Sequence, residues 1–195
     1  MNEHLVMLGR FVRSPRTVGA VSPSSRALSR ALIAELDLAA PMRLIELGPG
    51  TGVVTREIAA RLGPEAHCLA VEIDPAFVSA IARKYSRVQV VCGSAVDLVE
   101  LARRHEMLPA DHIVSGLPFA SLPAAVTVRI LDAVADTLSP GGTFTTFQYA
   151  HGYPSPLATS FRRALSERLG VLPTRRLIWR NVPPAYVLTW RRPQK

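Results

Sequence analysis

The sequence predicts an α/β fold, a doubly wound seven-stranded sheet whose last strand runs antiparallel. Three observations predict it. Short apolar runs alternate with helical stretches from residue 42 to residue 169. The first run, Met42-Arg43-Leu44-Ile45, flows into Glu46-Leu47-Gly48-Pro49-Gly50-Thr51-Gly52 and a helix opening at Val53. That is the strand, glycine turn and helix start of a nucleotide-binding unit. The chain then ends on two β-rich segments joined by Asn181-Val182-Pro183-Pro184, a terminal hairpin.

The elements follow in order. Residues 3–13 place Leu5, Met7, Leu8, Phe11 and Val12 on one side of a helical wheel, with Glu3, Arg10 and Arg13 opposite and Val6 the exception. This is an amphipathic helix that can pack as a lid or lie in a membrane interface. After a loop over residues 17–25, a helix is expected from Arg26 to Leu38, capped by Ser24 or Ser25. Cys68-Leu69-Ala70-Val71-Glu72 reads as a second buried strand, and Pro75 to Lys84 as a helix with proline in its first turn. Val88 to Cys92 is a third strand, and Ala95 to His105 a helix. Asp111 to Ser115 is a fourth strand running into Gly116-Leu117-Pro118-Phe119. A helix from Ala124 to Leu138 stops at Ser139-Pro140-Gly141-Gly142, before a fifth strand from Thr143 to Tyr149. Ser160 to Leu169 is helical and closed by Gly170. The hairpin strands are Arg175 to Arg180 and Ala185 to Arg192.

Composition bounds the class. At 195 residues, 48% of them hydrophobic, the chain has the size of one domain with a sizeable core. Residues 1–40 would form helices of a lid or membrane-contact region, and residues 41–195 the binding core. No apolar run approaches the roughly 18 residues a membrane span needs, and nothing resembles a secretory leader. The two cysteines, Cys68 and Cys92, stand at opposite ends of neighbouring strands, too far apart to bridge. A reducing cytoplasm and no metal are expected.

The net charge of +8 is unevenly spread. Residues 44–160 hold 8 basic and 11 acidic residues, whereas residues 161–195 hold 9 and 1. Residues 1–43 hold 6 and 3. Positive charge concentrated at the chain ends points to a polyanionic partner, a nucleic acid or an anionic membrane.

The positions of the strand ends suggest an adenosine ligand. Glu72, about twenty residues past the glycines, can accept ribose hydroxyls, and Gly93-Ser94-Ala95 would meet an adenine edge. The spacing acid-x-Gly-x-Gly-x-Gly resembles the first motif of S-adenosylmethionine-dependent methyltransferases more than the dinucleotide fingerprint. With Val18-Gly19-Ala20-Val21-Ser22-Pro23-Ser24-Ser25, Val114-Ser115-Gly116-Leu117-Pro118 and Trp179-Arg180-Asn181-Val182-Pro183-Pro184-Ala185 also in view, nearly the whole chain resembles the soluble bacterial phosphatidylethanolamine N-methyltransferases. The family often has Gly-Asp-Ala where this chain has Gly93-Ser94-Ala95.

The resemblance implies a class I methyltransferase sheet and stepwise N-methylation of phosphatidylethanolamine toward phosphatidylcholine. It implies a cytoplasmic enzyme held peripherally at the inner face of the membrane. S-adenosylmethionine would be held by Ser22, Ser25, Glu46, Gly48, Gly50, Thr51 and Gly52. Glu72, Ile73, Ser94, Ala95 and Ser115 would complete that set. Ser115, Gly116, Leu117 and Tyr149 would form the catalytic corner, with His151 a further candidate for proton removal. Phe119, Tyr149 and Tyr153 would hold the methylated cation. Phe11, Arg10, Arg13 and Arg180 would meet the lipid or membrane, each basic side chain near an anionic surface contributing about 1 kcal/mol. The alternative is a ribosomal RNA adenine N6-dimethyltransferase-like enzyme. Those enzymes present Asn-Leu-Pro-Tyr where this chain has Gly116-Leu117-Pro118-Phe119, and the missing asparagine makes a nucleic acid partner the lesser expectation.

Overall fold

The computed structural model describes residues 25–194. The amphipathic segment, with Arg10, Phe11 and Arg13, and the expected cofactor residue Ser22 lie outside the described residues. Seven strands form one sheet in the order β3-β2-β1-β4-β5-β7-β6. They are β1 (Met42–Leu47), β2 (Ala66–Glu72), β3 (Gln89–Cys92), β4 (Ala110–Ser115), β5 (Leu138–Tyr149), β6 (Thr174–Ile178) and β7 (Ala185–Arg191). The first five are parallel, and β7 runs antiparallel to both β5 and β6. Because β1 pairs with both β2 and β4, the strand order reverses there and opens a crevice at the C-terminal strand ends. The α/β sheet with an antiparallel last strand is the one the sequence predicts.

Alternation along the strands builds two cores. Leu44, Ala70, Val114 and Val187 face α1 (Arg26–Leu32) and α2 (Val53–Ala59). Ile45, Leu69, Ile113, Phe144 and Trp190 face α4 (Leu98–Arg104), α5 (Ala124–Thr137) and α6 (Pro156–Leu169). The remaining helix, α3 (Pro75–Lys84), buries Ile81 and packs on β2 and β3.

Four boundaries differ from expectation by more than two residues. α1 stops at Leu32, and three-residue turns through Ala34 and Leu36 bring Leu38 into the core. The helix expected from Ala95 is a 3₁₀ turn, Ala95–Asp97, followed by α4. Ser139 to Gly142 is an irregular opening of β5 rather than a turn. There the pairing with β4 shifts between Ala110 and His112, and a Cβ on Gly142 would lie 2.8 Å from the Asp111 carbonyl. α6 starts four residues early because Ser155 caps it, accepting from the Ala158 amide at 3.3 Å, with Pro156 in the first turn.

α1 is held beside the crevice by charge. Glu57 of α2 is 4% exposed and meets four guanidinium groups, from Arg26 (3.3 Å), Arg30 (3.0 Å), Arg56 (3.4 Å) and Arg61 (3.0 Å). Burial pushes the Glu57 pKa up, but the hydrogen bonds from Arg30 and Arg26 outweigh it and hold the pKa below the ordinary value. Its neighbouring contact is neutral: Asn181 accepts from the Ser25 amide at 3.0 Å, joining the start of α1 to the β6–β7 loop.

Candidate active site

The chain leaves β1 at Leu47 and turns through Gly48, at φ +68°. The Gly48 amide donates to the Val71 carbonyl (2.9 Å), and the Gly116 amide donates to the Leu47 carbonyl (2.8 Å). The two turns approach so closely that neither tolerates a side chain as they stand. A Cβ on Gly48 would come within 2.6 Å of Leu117 Cδ2, and one on Gly116 within 2.9 Å of the Gly48 carbonyl oxygen.

Glu72 organises the floor. It is 4% exposed and accepts three backbone amides: Gly50 at 2.9 Å, Ile73 at 2.8 Å and Asp74 at 3.0 Å. A carboxylate offers about four acceptor positions, so one remains for a ligand hydroxyl. Accepting both hydroxyls of a ribose, as the sequence suggests, requires the Gly50 amide to yield its place. At Gly50 itself a Cβ would find nothing within 4 Å. This open flank beside a carboxylate acceptor fits an adenosyl ligand whose amino-acid portion passes the backbone closely.

Glu46 faces the same crevice under different conditions. It is 2% exposed, and its Oε2 has no hydrogen-bond partner. Burial raises its pKa to about 7, against the opposing pull of the Thr55 hydroxyl and amide, with the Glu72 charge adding a further upward push.

The other expected cofactor residues divide by position. Thr51 is exposed and Gly52 caps α2 at φ +79°. Ile73 is half-buried, its amide already on Glu72. The Ser94 hydroxyl accepts from the Val96 amide at 3.2 Å, capping the 3₁₀ turn over a buried Ala95. Ser25 caps α1, accepting from the Leu28 amide at 3.2 Å. Ser115 is buried, its hydroxyl accepting from the Leu117 amide (3.2 Å) while Thr146 Oγ1 donates to its carbonyl (3.0 Å). The Leu117 carbonyl accepts from the Phe119 amide.

The three expected aromatics do not converge. Phe119 is 8% exposed and stacks on Phe161 of α6, ring centroids 4.4 Å apart, so its ring belongs to the core beneath α5 and α6. Tyr153 packs against that same core, one face covered by the Arg162 guanidinium at 3.8 Å. Tyr149 packs on the opposite core, against Phe147, and stacks with His151 at 5.8 Å. It stands three residues beyond Thr146, roughly 10 Å of strand, above the Ser115 corner rather than beside it. Burial raises its pKa above the ordinary phenol value, so at neutral pH it remains a protonated hydrogen-bonding group. His151 and Arg180 are exposed.

Sequence reasoning gave no role to Glu57, Thr146 or Asn181. The one available signal is the four-residue spacing of Arg26 and Arg30, which puts both on one helix face, but the acid that answers them comes from another helix.

With this geometry in hand, comparison with known proteins decides the family. A family model described as "Methyltransferase domain" matches residues 45–144. The chain belongs to the methyltransferase family. An ornithine lipid N-methyltransferase of Singulisphaera acidiphila is 29% identical over 188 residues, covering 95% of this chain and 94% of that protein. Among solved structures, a precorrin-6y C5,15-methyltransferase from Geobacter metallireducens superposes with TM-score 0.66 at 17% identity, covering 84% of this chain and 87% of its own. Aeropyrum pernix fibrillarin, with natively bound S-adenosyl-L-methionine, gives TM-score 0.63 at 17% identity, over 84% of this chain and 72% of its own. The sheet has the class I methyltransferase fold. No helix among the described residues is long and apolar enough to cross a membrane.

Two expected outcomes follow from the acids. Glu72→Ala removes the acceptor for three amides and for a ligand hydroxyl. Calorimetry with S-adenosylhomocysteine should record about 1.5–3 kcal/mol weaker binding, and unchanged affinity contradicts the assignment. Glu46 holds its proton more tightly folded than unfolded. Its contribution to stability therefore falls as pH rises from about 4.5 to about 7. Glu46→Gln should gain on the parent protein through that window, by roughly 3 kcal/mol at its alkaline end, in urea unfolding at pH 5 and pH 8. Parallel pH profiles contradict the raised pKa.

Proposed function

We propose that this methyltransferase transfers methyl groups from S-adenosylmethionine to the amine nitrogen of phosphatidylethanolamine, stepwise toward phosphatidylcholine, at an anionic membrane surface. The observation that carries the reading is similarity along 95% of the chain to a lipid N-methyltransferase. That protein's name points to ornithine lipid, another headgroup amine, so ornithine lipid is the competing substrate within the same chemistry.

Bound S-adenosylmethionine supplies a methyl activated by its sulfonium. The chain's residues do the rest. Glu72, the Gly50 backbone and Glu46 hold the ligand at the crevice. Ser115 and Gly116, fixed by Thr146 and the Leu47 carbonyl, form the wall against which the amine is aligned. The lipid ammonium must lose a proton before its nitrogen bonds to the methyl carbon as the carbon–sulfur bond breaks. A desolvated pocket lowers the ammonium pKa, and the proton leaves to water or to His151 at the exposed rim. Tyr149, kept protonated by burial, meets the headgroup from above the Ser115 corner as a hydrogen-bond partner, and its ring face suits the later cationic products. An adenine-methylating reading is disfavoured at Gly116, where a Cβ would already crowd the Gly48 carbonyl and an asparagine would be larger still.

The test supplies labelled S-adenosylmethionine with vesicles of phosphatidylethanolamine, with vesicles containing ornithine lipid, and with unmodified ribosomal RNA. Label should enter the phosphatidylethanolamine headgroup. Label in RNA alone overturns the lipid reading, and label in ornithine lipid alone replaces the headgroup. Tyr149→Phe should lower turnover about tenfold, the value of one hydrogen bond, while S-adenosylhomocysteine affinity stays unchanged. A wild-type rate removes Tyr149 from the site.

A further inference from the structure

The loop between β6 and β7 carries two apolar side chains that the fold leaves in water. Trp179 is 74% exposed and Val182 is 81% exposed. They are two of the five large apolar residues exposed among the described residues. The loop is nevertheless firmly built. Asn181, 3% exposed, accepts from the Ser25 amide at 3.0 Å and donates to the Pro183 carbonyl at 2.7 Å. The Pro184 carbonyl accepts from the Ala150 amide at 2.8 Å. A tryptophan displayed on a fixed turn forgoes the free energy of burying its apolar ring, which marks a contact surface rather than slack.

Its surroundings specify the contact. Arg180 lies between the two apolar residues, and Arg175 and Arg176 are exposed on β6. No acid occurs between residues 174 and 184. An apolar tip set among cations fits a surface that is anionic outside and apolar just beneath. In a bilayer interface tryptophan settles at headgroup depth and arginines meet phosphates. Residues 1–24 carry Arg10, Arg13 and Arg16 against the single acid Glu3. Charge therefore opposes that segment as the cover for Arg180, while one anionic surface suits both. Orientation follows from topology. β6 runs parallel to β5, so the loop stands at the same end of the sheet as the glycine turn and Glu72.

We propose that Trp179 and Val182, flanked by Arg180, insert into the interface of an anionic bilayer and turn the open end of the sheet toward the lipid headgroups. This inference rests on the lipid N-methylation reading and names the surface that reading needs.

The chain contains its own reporter. Its two tryptophans are Trp179 and Trp190, and Trp190 is fully buried. Fluorescence of the full chain should therefore shift to the blue and resist acrylamide when vesicles of phosphatidylethanolamine and phosphatidylglycerol in equal parts are added. Brominated lipids should quench it. Trp179→Ala and Val182→Asp should each weaken vesicle partitioning about tenfold, with S-adenosylhomocysteine affinity retained as the check on folding. Sedimentation with vesicles and no spectral change means that the bilayer is met elsewhere and overturns the proposal. Emission already blue and protected before vesicles means that another part of the chain, such as residues 1–24, covers Trp179, and also overturns it. An equal shift with RNA does the same. Label transfer measured in the same vesicles separates the two claims. A shift without lipid methylation keeps the docking surface and removes the substrate, whereas methylation without a shift does the reverse.

Discussion

The crevice depends on the Glu72 carboxylate. Oε2 holds the Gly50 amide from the loop after β1, and Oε1 holds the Ile73 and Asp74 amides from the loop after β2. One side chain thus fixes the relation between two loops that share no regular structure. Three amide dipoles take the place of a counter-charge, which lets a carboxylate stay buried at the end of a strand. The close approach of Gly48 to Leu117, and of Gly116 to Gly48, presupposes a glycine turn standing where Glu72 keeps it.

Three buried acids surround α2 and are accommodated in three ways. Glu57 draws two arginines from α1, one from α2 and Arg61 just beyond it, and becomes a tie between α1 and the body. Glu72 is surrounded by backbone. Glu46 receives no comparable compensation, keeps an unpaired oxygen, and rises to a pKa of about 7. Structural acids are thereby separated from the one whose charge state a ligand or a pH change can alter. The expense is local: burial of an incompletely satisfied carboxyl lowers stability near neutral pH.

Legibility in the sequence followed the range of the interactions. Elements set by short-range signals were readable: the glycine turn, Pro75 opening α3, and Gly170 closing α6 at φ +68°. The antiparallel last strand also followed, because a terminal hairpin runs its two strands in opposite directions. What the sequence misplaced depends on contacts distant along the chain. Phe119 looked available for a cation because the motif continues past Gly116, yet Phe161, forty-two residues later, takes its ring face. Tyr149 and Tyr153 lie four residues apart and still belong to opposite cores, since the loop after β5 turns the chain over the C-terminal end of the strands. The arginine cluster on Glu57 and the Asn181 tie to Ser25, 156 residues apart, leave no local signature.

The proposed function joins these features into one orientation, with the cofactor on the Glu72 loop, the amine over the Ser115–Gly116 corner, and the β6–β7 turn against the lipid. A crystal structure with S-adenosylhomocysteine and a short-chain phosphatidylethanolamine tests this most directly. The account predicts a ribose hydroxyl on Glu72 and the headgroup nitrogen facing the sulfur across the Gly116 wall, in the near-attack arrangement that displacement requires. A ribose held away from Glu72, or a headgroup amine turned from the sulfur, would contradict it.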